Sequence, residues 1–543
     1  MHSKVLSAYT IGLDTQGVEV ETDISAGLPC FSIVGLGDAS ILESRERVRS
    51  AIKNSAAEFP MTRKTVNLAP ACVKKQGSIF DLAIAVGILS ASKQVSSHYT
   101  NDSIFIGELA LDGSVRKIDG VILIAEFVKK KKIKTLYLPE ANAKEASYIS
   151  EINIVPVKNL RELIEHLRHG NVLAEFRGTG VEKRDHRFAG RSGGDERGAD
   201  STNDLRNISG QEYAKRAIQI SAAGGHNLLM IGPPGCGKTM LANAVQTILP
   251  GLEMNEALEL TKIYSVAGMM RPGEALVETR PFREVHHTAS SIAVLGGGNN
   301  LMPGEISLAH RGVLFFDELT LFPINVLESL RQPLESGHIT IARARYRIMY
   351  PANFIFVGAM NPCPCGFFGD KSRPCICTEN QIKLYRNKIS GPLLDRIDLI
   401  VNMRRVPFSK TEIGAGLGGA ESGAAANSTS SGGNAFGGAA GSGAESSAAT
   451  SSEIFESVKM ARESQKLRQK NLNRDLDLPG IRKFCGLSFD CRNFLRNAAE
   501  RLNLSMRGSH KIIKISRTIA DLENSKEIKL YHVTEAMQYR GNV

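Results

Sequence analysis

A glycine-rich loop between two apolar segments restricts the fold of this chain more than any other stretch. The run 227–231 is short and apolar, which predicts a buried parallel strand. Residues 240–245 are good helix formers at helical spacing. Between them, residues 232–239 match G-x-x-x-x-G-K-[ST], a pattern that requires a strand before it and a helix after it. The sequence therefore predicts a phosphate-binding loop in an α/β sheet.

Every residue of this loop is a candidate ligand of ATP. The glycines let backbone N–H groups turn towards phosphate oxygens, and the N-terminus of the next helix favours negative charge. Lys238 would reach the β- and γ-phosphates, and the Thr239 hydroxyl would bind Mg²⁺. A glycine-rich turn that matches by chance is the alternative. The predicted ATP-binding residues are Gly232, Pro233, Pro234, Gly235, Cys236, Gly237, Lys238 and Thr239.

Two later apolar runs end in polar residues that are expected beside this loop. The run 313–316 is followed by Asp317 and Glu318, and the run 354–360 by Asn361. In an open parallel sheet, ligands bind at the carboxyl ends of the strands. Asp317 is predicted to support the Mg²⁺ shell, Glu318 to polarise the attacking water, and Asn361 to position that water. An apolar run that ends in Asp is common by itself, but its place after a phosphate-binding loop favours the catalytic interpretation.

Arg396 has two interpretations. Within one subunit it could pair with Asp395 or Asp398. In a ring of identical subunits it would instead reach the γ-phosphate of the neighbour and stabilise transition-state charge. A head-to-tail interface that closes on itself produces such a ring. The second interpretation predicts self-association.

The overall composition is that of a large chain of several domains. A chain of 543 residues is too long to fold around one hydrophobic core, so about three domains are expected. It has no run of 18 apolar residues and no signal-peptide pattern, so we expect a cytoplasmic protein that does not enter the membrane. Nine cysteines indicate reduced thiols or a metal rather than disulfides. The net charge of +11 suits a polyanionic partner, although many basic proteins bind no nucleic acid.

Two groups of residues are candidate metal ligands. The spacing C-x-C-x₉-C-x-C suits a tetrahedral, structural Zn²⁺ site, although C-x-C is less usual than C-x₂-C and free thiols are the alternative. Adjacent histidines on a strand point to opposite sides, so His286 and His287 are not expected to share a metal. The predicted zinc ligands are Cys363, Cys365, Cys375 and Cys377.

Composition also divides the chain into five segments. Residues 1–170 alternate strand and helix patterns, which predicts an α+β domain. Residues 171–206 contain almost nothing apolar and are predicted to be a flexible linker. Residues 207–410 hold the ATPase core, 411–452 are a low-complexity Ala/Gly/Ser linker, and 453–543 predict a helical lid. The predicted fold class is multidomain α/β.

Several motifs together make the chain resemble a known family. The resemblance is to the magnesium-chelatase-like AAA+ ATPases of the YifB/ComM family, which are related to MCM helicases, and it covers residues 1 to about 540 apart from the two linkers. The motifs that carry it are Ser209-Gly210-Gln211, residues 232–239, His286-His287-Thr288, residues 303–310, Asp317-Glu318, residues 361–366 and residues 391–399.

The N-terminal segment resembles the Lon-protease-like (ChlI-type) domain of these ATPases, which has a ribosomal S5 domain 2-like fold. The similarity is carried by residues 67–70 and 77–82. Lon proteases use a Ser–Lys dyad. By the pattern, their serine would fall near Ile79 and their lysine near Ile122, and neither side chain can do that chemistry. Ser78 is displaced by one residue. We therefore expect a structural or DNA-contacting domain without a catalytic dyad.

The resemblance also implies roles for single residues. Asn361 would be sensor 1, Arg396 the arginine finger, and Arg517 sensor 2, with an Arg517–Asp521 salt bridge as the alternative for the last. Residues 337–348 alternate with period two and predict a hairpin, which faces the ring pore in related helicases. The strand face of this hairpin is predicted to carry Arg343, Arg345 and Arg347 together and to grip DNA phosphates without reading sequence; an ordinary solvated face is the alternative.

The predicted function is an ATP-hydrolysing ring motor, expected to be a hexamer, that acts on branched or single-stranded DNA. The resemblance implies a helicase or branch-migration role in homologous recombination and natural transformation. One alternative is a magnesium-chelatase-type ATPase that couples hydrolysis to metal insertion or protein remodelling. Another is a nucleotide-gated scaffold, which the presence of Glu318 disfavours.

Overall fold

The computed structural model of the chain describes most of its length. Arg345 and most of both predicted linkers lie outside the described residues. The described residues are 1–35, 39–71, 75, 77–170, 173–178, 204–271, 273–298, 300–343, 346–370, 373–405, 450–501 and 504–540.

The N-terminal part is an α+β unit built on one mixed sheet. The strand order in this sheet is β10-β9-β8-β5-β1-β2-β4-β3, and β6 and β7 form a separate pair. Strand β10 pairs antiparallel with β9, so this part of the segment 171–206, which the sequence predicts to be a flexible linker, belongs to the sheet. The elements are β1 His2–Ile11, β2 Asp14–Ser25, β3 Cys30–Val34, α1 Ala39–Asn54, β4 Arg63–Ala69, α2 Asp81–Ala91, β5 Ser103–Phe105, β6 Glu108–Leu109, β7 Val115–Arg116, α3 Val121–Lys130, β8 Thr135–Pro139, α4 Ala143–Ala146, β9 Asn153–Val157, α5 Leu160–His169 and β10 Phe176–Arg177.

The central part contains a five-stranded sheet in the order β12-β15-β18-β11-β19. All four pairings in this sheet are parallel. Strand β11 and helix α7 flank the predicted phosphate-binding loop, which confirms its predicted context. The elements are α6 Glu212–Gly224, β11 Leu228–Ile231, α7 Lys238–Ile248, α8 Met254–Val266, β12 Phe282–Val285, α9 Ser291–Leu295, β13 Gly296–Gly297, β14 Met302–Pro303, α10 Glu305–Leu308, β15 Val313–Phe316, α11 Ile324–Ser329, α12 Arg331–Ser336, β16 His338–Arg343, β17 Tyr346–Pro351, β18 Ile355–Met360, α13 Glu379–Arg386, α14 Gly391–Leu394 and β19 Leu399–Asn402.

Alternating residues of these strands face two different hydrophobic clusters. In β11, Leu228 and Met230 pack in one cluster, whereas Leu229 and Ile231 pack in the other. Because successive side chains of a strand point to opposite faces, the sheet is covered on both sides. The central part is therefore a parallel sheet with buried side chains on both faces, in agreement with the predicted α/β fold class.

The C-terminal helices share a core with this sheet. Ile454, Ile515 and Val533 are buried in the cluster that also contains Leu228. Helix α15 begins at Ser451, because Thr450 accepts a hydrogen bond from the Glu453 backbone N–H. The helix thus includes the last two residues of the segment 411–452, which the sequence assigned to a linker. The helices are α15 Ser451–Gln469, α16 Leu478–Phe484, α17 Phe489–Arg501, α18 Met506–Leu522 and α19 Leu530–Gln538.

The N-terminal unit contacts the central core through polar groups on α8. The Ser265 hydroxyl donates to the buried Glu145 carboxylate and accepts from the Gly120 backbone N–H. Burial raises the pKa of Glu145, against the hydrogen bonds from Ser265 and Asn142.

The positions considered above for a Ser–Lys dyad have other roles in the N-terminal unit. Ile122 is buried in α3, and the Ser78 hydroxyl donates to Glu108. Among helices within the described ranges, none has the length and apolar character needed to cross a bilayer.

A buried ion pair joins the helical part to the amino end of β19. Asp398 lies 2.8 Å from the Lys511 ammonium and accepts from the Asn227 backbone N–H at 2.9 Å. Burial alone would raise the pKa of Asp398, but Lys511 and His226 lower it well below its usual range. The carboxylate is therefore charged in the folded protein.

We expect Asp398→Asn to lower the free energy of unfolding by about 3 kcal/mol, because it leaves the buried Lys511 charge without its partner. Urea unfolding measures the loss. Asp395→Asn, at an exposed position nearby, is the control and should change stability by less than about 0.5 kcal/mol. Equal effects of the two substitutions would contradict a stabilising role for the pair.

Candidate nucleotide-hydrolysis site

Four polar side chains that the sequence singles out meet at the carboxyl edge of the parallel sheet. Lys238 Nζ donates to Asn361 Oδ1 at 3.1 Å, and Thr239 Oγ1 donates to Asp317 Oδ2 at 2.8 Å. These residues follow β11, β15 and β18, which are neighbours in the sheet. Parallel pairing places the carboxyl ends of these strands side by side, so three distant parts of the sequence form one site.

The Lys238 ammonium lies inside its own loop. It donates to the backbone oxygens of Gly232 at 2.8 Å and Pro233 at 3.0 Å. Burial lowers the pKa of Lys238, while Asp317 and Glu318 act in the opposite direction. Lys238 is the first residue of α7, so its ammonium lies beside the loop at the N-terminus of that helix.

Glycine is required at three positions of this loop for two reasons. Gly235 has φ +74° and Gly237 has φ +90°, a region that disfavours residues with a Cβ, and no atom lies within 4 Å of a Cβ built on either residue. At Gly232 the constraint is packing, since a Cβ would lie 2.9 Å from Met403 Cβ. Open space above Gly235 and Gly237 leaves the backbone accessible to phosphate oxygens, so the loop fits a nucleotide phosphate.

Glu318 lies at the rim of the site with an unusual backbone. Its φ of +49° is in the left-handed region, where non-glycine residues are uncommon and concentrate at functional sites. Its backbone N–H donates to Asp317 Oδ1 at 2.7 Å, and its half-exposed carboxylate lies 3.7 Å from His287 Nδ1. The turn directs the Glu318 side chain towards solvent, where a water molecule can reach it.

The prediction for the histidine pair was based on a wrong local structure. Strand β12 ends at Val285, so His286 and His287 follow the strand rather than lie on it. Their ring centroids are 4.2 Å apart. The sequence missed His287 as a member of the site because its contact with Glu318 depends on the neighbouring positions of β12 and β15 in the sheet.

Arg396 does not join this site within one chain. It precedes β19 and therefore lies at the amino edge of the sheet, and a four-residue strand separates the two edges by about 13 Å. Its guanidinium donates to Glu335, to Pro392 O at 2.7 Å and to Arg331 O at 3.1 Å. Arg507 donates to the other oxygen of Glu335 at 2.7 Å. Arg396 thus forms an ion pair with Glu335 rather than with Asp395 or Asp398, the partners predicted within one subunit.

Arg517 is buried rather than presented to a nucleotide. Its guanidinium donates to Asp521 at 2.8 Å and to the backbone oxygens of Ser525 and Lys526. Only 4% of its side chain is exposed. The salt bridge with Asp521, which the sequence left open as the alternative, is the observed arrangement. The predicted sensor 2 role would require this pair to break.

The predicted basic hairpin is present, but its arginines do not share one face. Strands β16 and β17 pair antiparallel, with Arg343 opposite Tyr346 and Arg347 opposite Ala342. Residues directly opposite each other point to the same face, and neighbouring pairs alternate, so Arg343 and Arg347 lie on opposite faces. The period-two prediction failed because the chain reverses between them. Arg343 and Arg347 are both exposed near the tip.

The four predicted cysteine ligands are gathered at one point. Their sulfur atoms all lie within 4.8 Å of one another. The S···S distances are 3.4 Å for Cys363–Cys365, 3.7 Å for Cys363–Cys375 and 3.5 Å for Cys365–Cys375. Tetrahedral Zn–S bonds of 2.3 Å require S···S distances of roughly 3.8 Å, so these residues fit zinc.

Backbone N–H groups contact two of these cysteines. The Phe368 N–H donates to Cys363 Sγ at 3.3 Å. The backbone N–H of Phe367 is the main cause that lowers the pKa of Cys365 to about 6. Against the backbone N–H groups that lower them, desolvation and the neighbouring cysteines raise the pKa values of Cys375 and Cys377. Of these three shifts, that of Cys365 favours the thiolate form that zinc binds.

Two further residues that the sequence did not assign to the site support the phosphate-binding loop. Gln211 Nε2 donates to Cys236 O at 3.2 Å and to Arg404 O, which ties the loop to the segment after β19. Arg405 donates to Pro234 O at 3.3 Å. The resemblance marks Gln211 through its Ser-Gly-Gln motif, but no pattern in the sequence identifies Arg405.

Three family models match most of the chain. "Magnesium chelatase, subunit ChlI" matches residues 204–411, "Subunit ChlI of Mg-chelatase" matches 20–142, and "Magnesium chelatase, subunit ChlI C-terminal" matches 448–540. Competence protein ComM of Haemophilus influenzae is 38% identical over 540 residues, 99% of this chain and 97% of the relative. The uncharacterized protein YifB of Escherichia coli is 38% identical over 543 residues, with the same two coverages. The magnesium-chelatase 38 kDa subunit of Cereibacter sphaeroides is 28% identical over 28% of this chain and 51% of its own length.

The parallel sheet, the loop around Lys238 and the acidic pair after β15 define the class of this protein as an AAA+ ATPase. Such ATPases bind ATP with Mg²⁺. The family models and the full-length relatives agree with this class. The chain belongs to the YifB/ComM family of magnesium-chelatase-like proteins.

We expect Gly237→Ala to weaken ATP binding about tenfold. Alanine at φ +90° costs about 1–2 kcal/mol, and relaxing that strain turns backbone N–H groups away from the phosphates. Titration with a fluorescent ATP analogue measures the change. Gly486→Ala is the control, because that glycine also has open space around its Cβ position but has no positive φ. Equal affinity in the two variants would show that the loop does not bind through its backbone.

Proposed function

We propose that this chain is an ATP-driven ring motor that acts on DNA, with a branch-migration or helicase activity. The observation that carries the proposal is the position of Arg396 at the edge of the sheet opposite Lys238. Because Arg396 is too far from the Lys238 loop of its own chain, each copy would supply its Arg396 guanidinium to the ATP of a neighbouring copy. A closed head-to-tail interface gives every subunit the same neighbour. Six subunits per ring are expected.

Within one subunit, the roles follow the geometry of the carboxyl edge. The Lys238 ammonium and the loop N–H groups would bind the phosphates, and Thr239 with Asp317 would hold Mg²⁺, which would neutralise phosphate charge. The Glu318 carboxylate accepts a hydrogen bond from the attacking water and orients it. Asn361 Oδ1 positions Lys238, and its amide N–H₂ is available to the water or the γ-phosphate.

The amino edge of the sheet has the features expected of a surface that meets the neighbour's nucleotide. Arg396 lines a cleft of about 640 Å³ together with Arg474, Arg507 and Lys511. In the single chain, Glu335 neutralises two of these cations, Arg396 and Arg507. The γ-phosphate of a neighbour would compete with Glu335 for Arg396, because it carries more negative charge. Arg517 is kept as a sensor 2 candidate, conditional on release from Asp521.

The β16–β17 hairpin is proposed as the DNA contact. Its tip exposes Arg343 and Arg347, and Arg345 lies between them in the sequence. Arginines at a hairpin tip can contact the phosphate backbone from either side without reading bases. Competence protein ComM, a full-length relative, carries a name that refers to competence, which agrees with a role in natural transformation.

Metal insertion or protein remodelling is the second candidate function. It is favoured by the match of three magnesium-chelatase models. The named chelatase subunit of Cereibacter sphaeroides aligns with only 28% of this chain, whereas the competence protein aligns with 99%. The competence protein is thus similar over the whole chain, and its name favours the DNA motor over metal insertion.

We also propose that Cys363, Cys365, Cys375 and Cys377 hold a structural Zn²⁺.

Mixing two inactive variants tests the ring. Arg396→Ala is expected to lower the ATPase rate about 10³-fold through loss of the cation, and Lys238→Ala should abolish ATP binding. In an equal mixture, one quarter of random interfaces pair an intact loop with an intact Arg396, so the rate should recover to about a quarter of the wild-type rate. Arg492→Ala, an exposed arginine of α17, should keep full activity. Absence of recovery would place Arg396 in the chemistry of its own subunit or in none.

DNA binding through the hairpin predicts a change in salt dependence. The double variant Arg343→Ala with Arg345→Ala should weaken binding to forked DNA, lower the slope of log affinity against log salt by about 2, and reduce DNA-stimulated ATPase. Lys130→Ala with Lys131→Ala removes two exposed charges from α3 and its end, and is the control of equal charge. Unchanged slopes in the hairpin variant would contradict the DNA contact. If no DNA stimulates ATPase in the wild type, the motor proposal fails and remodelling is favoured.

A further inference from the structure

The four-cysteine cluster is attached directly to the residues that contact the phosphate-binding Lys238. Asn361 directly follows β18 and accepts from Lys238 Nζ, and Cys363 follows Asn361 by two residues. The Cys363 side chain is fully buried, whereas the other three cysteines are partly exposed. A displacement of Cys363 would therefore be passed along one residue, Pro362, to Asn361.

A second contact joins the cysteine segment to the phosphate-binding loop. Gly366 lies between the first and second cysteine pairs and has φ +84°. A Cβ at Gly366 would lie 2.8 Å from Pro234 Cδ and 3.9 Å from Asn361 Cγ. The backbone of the cysteine segment thus packs against both the loop and Asn361, with no room for a side chain.

Arg405 adds a third connection. Its guanidinium donates to Pro234 O at 3.3 Å, lies 3.6 Å from Asp370 Oδ2, and stacks 5.5 Å from the Phe367 ring. Asp370 and Phe367 belong to the segment between the two cysteine pairs. From the other side, Arg386 donates to Pro362 O at 3.2 Å and stacks 5.2 Å from the Phe368 ring.

The cysteine segment has little apolar burial of its own to fix this arrangement. Ile376 is 85% exposed and Phe368 is 47% exposed. Segments without a hydrophobic core are commonly fixed by a metal, whose binding energy then contributes to folding. With four sulfur atoms at zinc-like separations, the metal is the strongest constraint available to this segment.

We infer that the metal-binding cysteine cluster positions Asn361 and the Pro234 side of the phosphate-binding loop, so that metal occupancy controls ATP hydrolysis more strongly than ATP binding. The inference rests on the proposed ATPase function and on the proposed zinc site. ATP binding depends less on Asn361, because Lys238 Nζ is also held by the backbone oxygens of Gly232 and Pro233 within the loop. Hydrolysis needs the Asn361 side chain to be correctly placed relative to Lys238 and Glu318. A displacement of Asn361 by about 1 Å is enough to lower the rate by a factor of about 10².

The test is Cys377→Ser, which changes the ligand farthest from Asn361 in the sequence. We expect zinc per chain, measured by elemental analysis, to fall from about one to near zero, the Kd for a fluorescent ATP analogue to change less than threefold, and kcat to fall at least tenfold. Cys30→Ser is the matched control, because Cys30 is exposed on β3 and lies outside the cluster. Zinc loss with an unchanged kcat would overturn the inference and leave the ATPase proposal standing. A wild-type protein that binds no zinc would also overturn it.

Hydrogen exchange gives a readout that does not depend on hydrolysis. Removal of zinc should speed amide exchange in peptides that cover residues 232–237 and 361–366, and should leave exchange in α18 unchanged. Equal exchange with and without zinc would overturn the inference even if the wild-type protein hydrolysed no ATP. Gly366→Ala is a second variant, in case Cys377→Ser does not fold. It should retain zinc but lower kcat, because its Cβ pushes on Pro234.

Discussion

Parallel pairing of five short strands is the constraint on which the rest of this structure depends. Each strand of a parallel sheet delivers the residue that follows it to the same edge. The phosphate-binding loop after β11, Asp317 after β15 and Asn361 after β18 therefore converge, although the chain between them is long. The buried side chains of both sheet faces hold the strands in register, so the geometry of the polar edge is determined by the hydrophobic clusters beneath it.

The same constraint separates Arg396 from Lys238. A residue that precedes a strand lies at the amino edge, and no rotamer of Arg396 spans the sheet to the loop of its own chain. The single chain neutralises Arg396 and Arg507 with Glu335. The predicted phosphate-binding residues thus lie at one edge of the sheet and Arg396 at the other. This separation is the basis of the proposed ring, in which two copies would form each site.

The cysteine segment and the C-terminal helices contact opposite edges of the parallel sheet. Gly366 and Arg405 connect the cysteine segment to Pro234, whereas the buried Asp398–Lys511 pair joins α18 to the amino end of β19. The first connection lies beside the nucleotide-binding groups, and the second lies at the amino edge, about 13 Å away. The helical part shares its hydrophobic cluster with the sheet, so it is a layer of the core rather than a separate body.

The sequence alone determined the phosphate-binding loop, the acidic pair, Asn361 and the cysteine spacing, because each depends on a local pattern next to an apolar run. Tertiary structure decided the contacts that join distant segments. His287 beside Glu318, Arg405 on Pro234 and Glu335 between two arginines have no local signature. The error in the hairpin has the same origin, because the reversal of the chain places Arg343 and Arg347 on opposite faces. The Arg517–Asp521 pair is local, four residues apart, and the sequence offered it as the alternative; the buried guanidinium adopts it because burial requires a carboxylate partner.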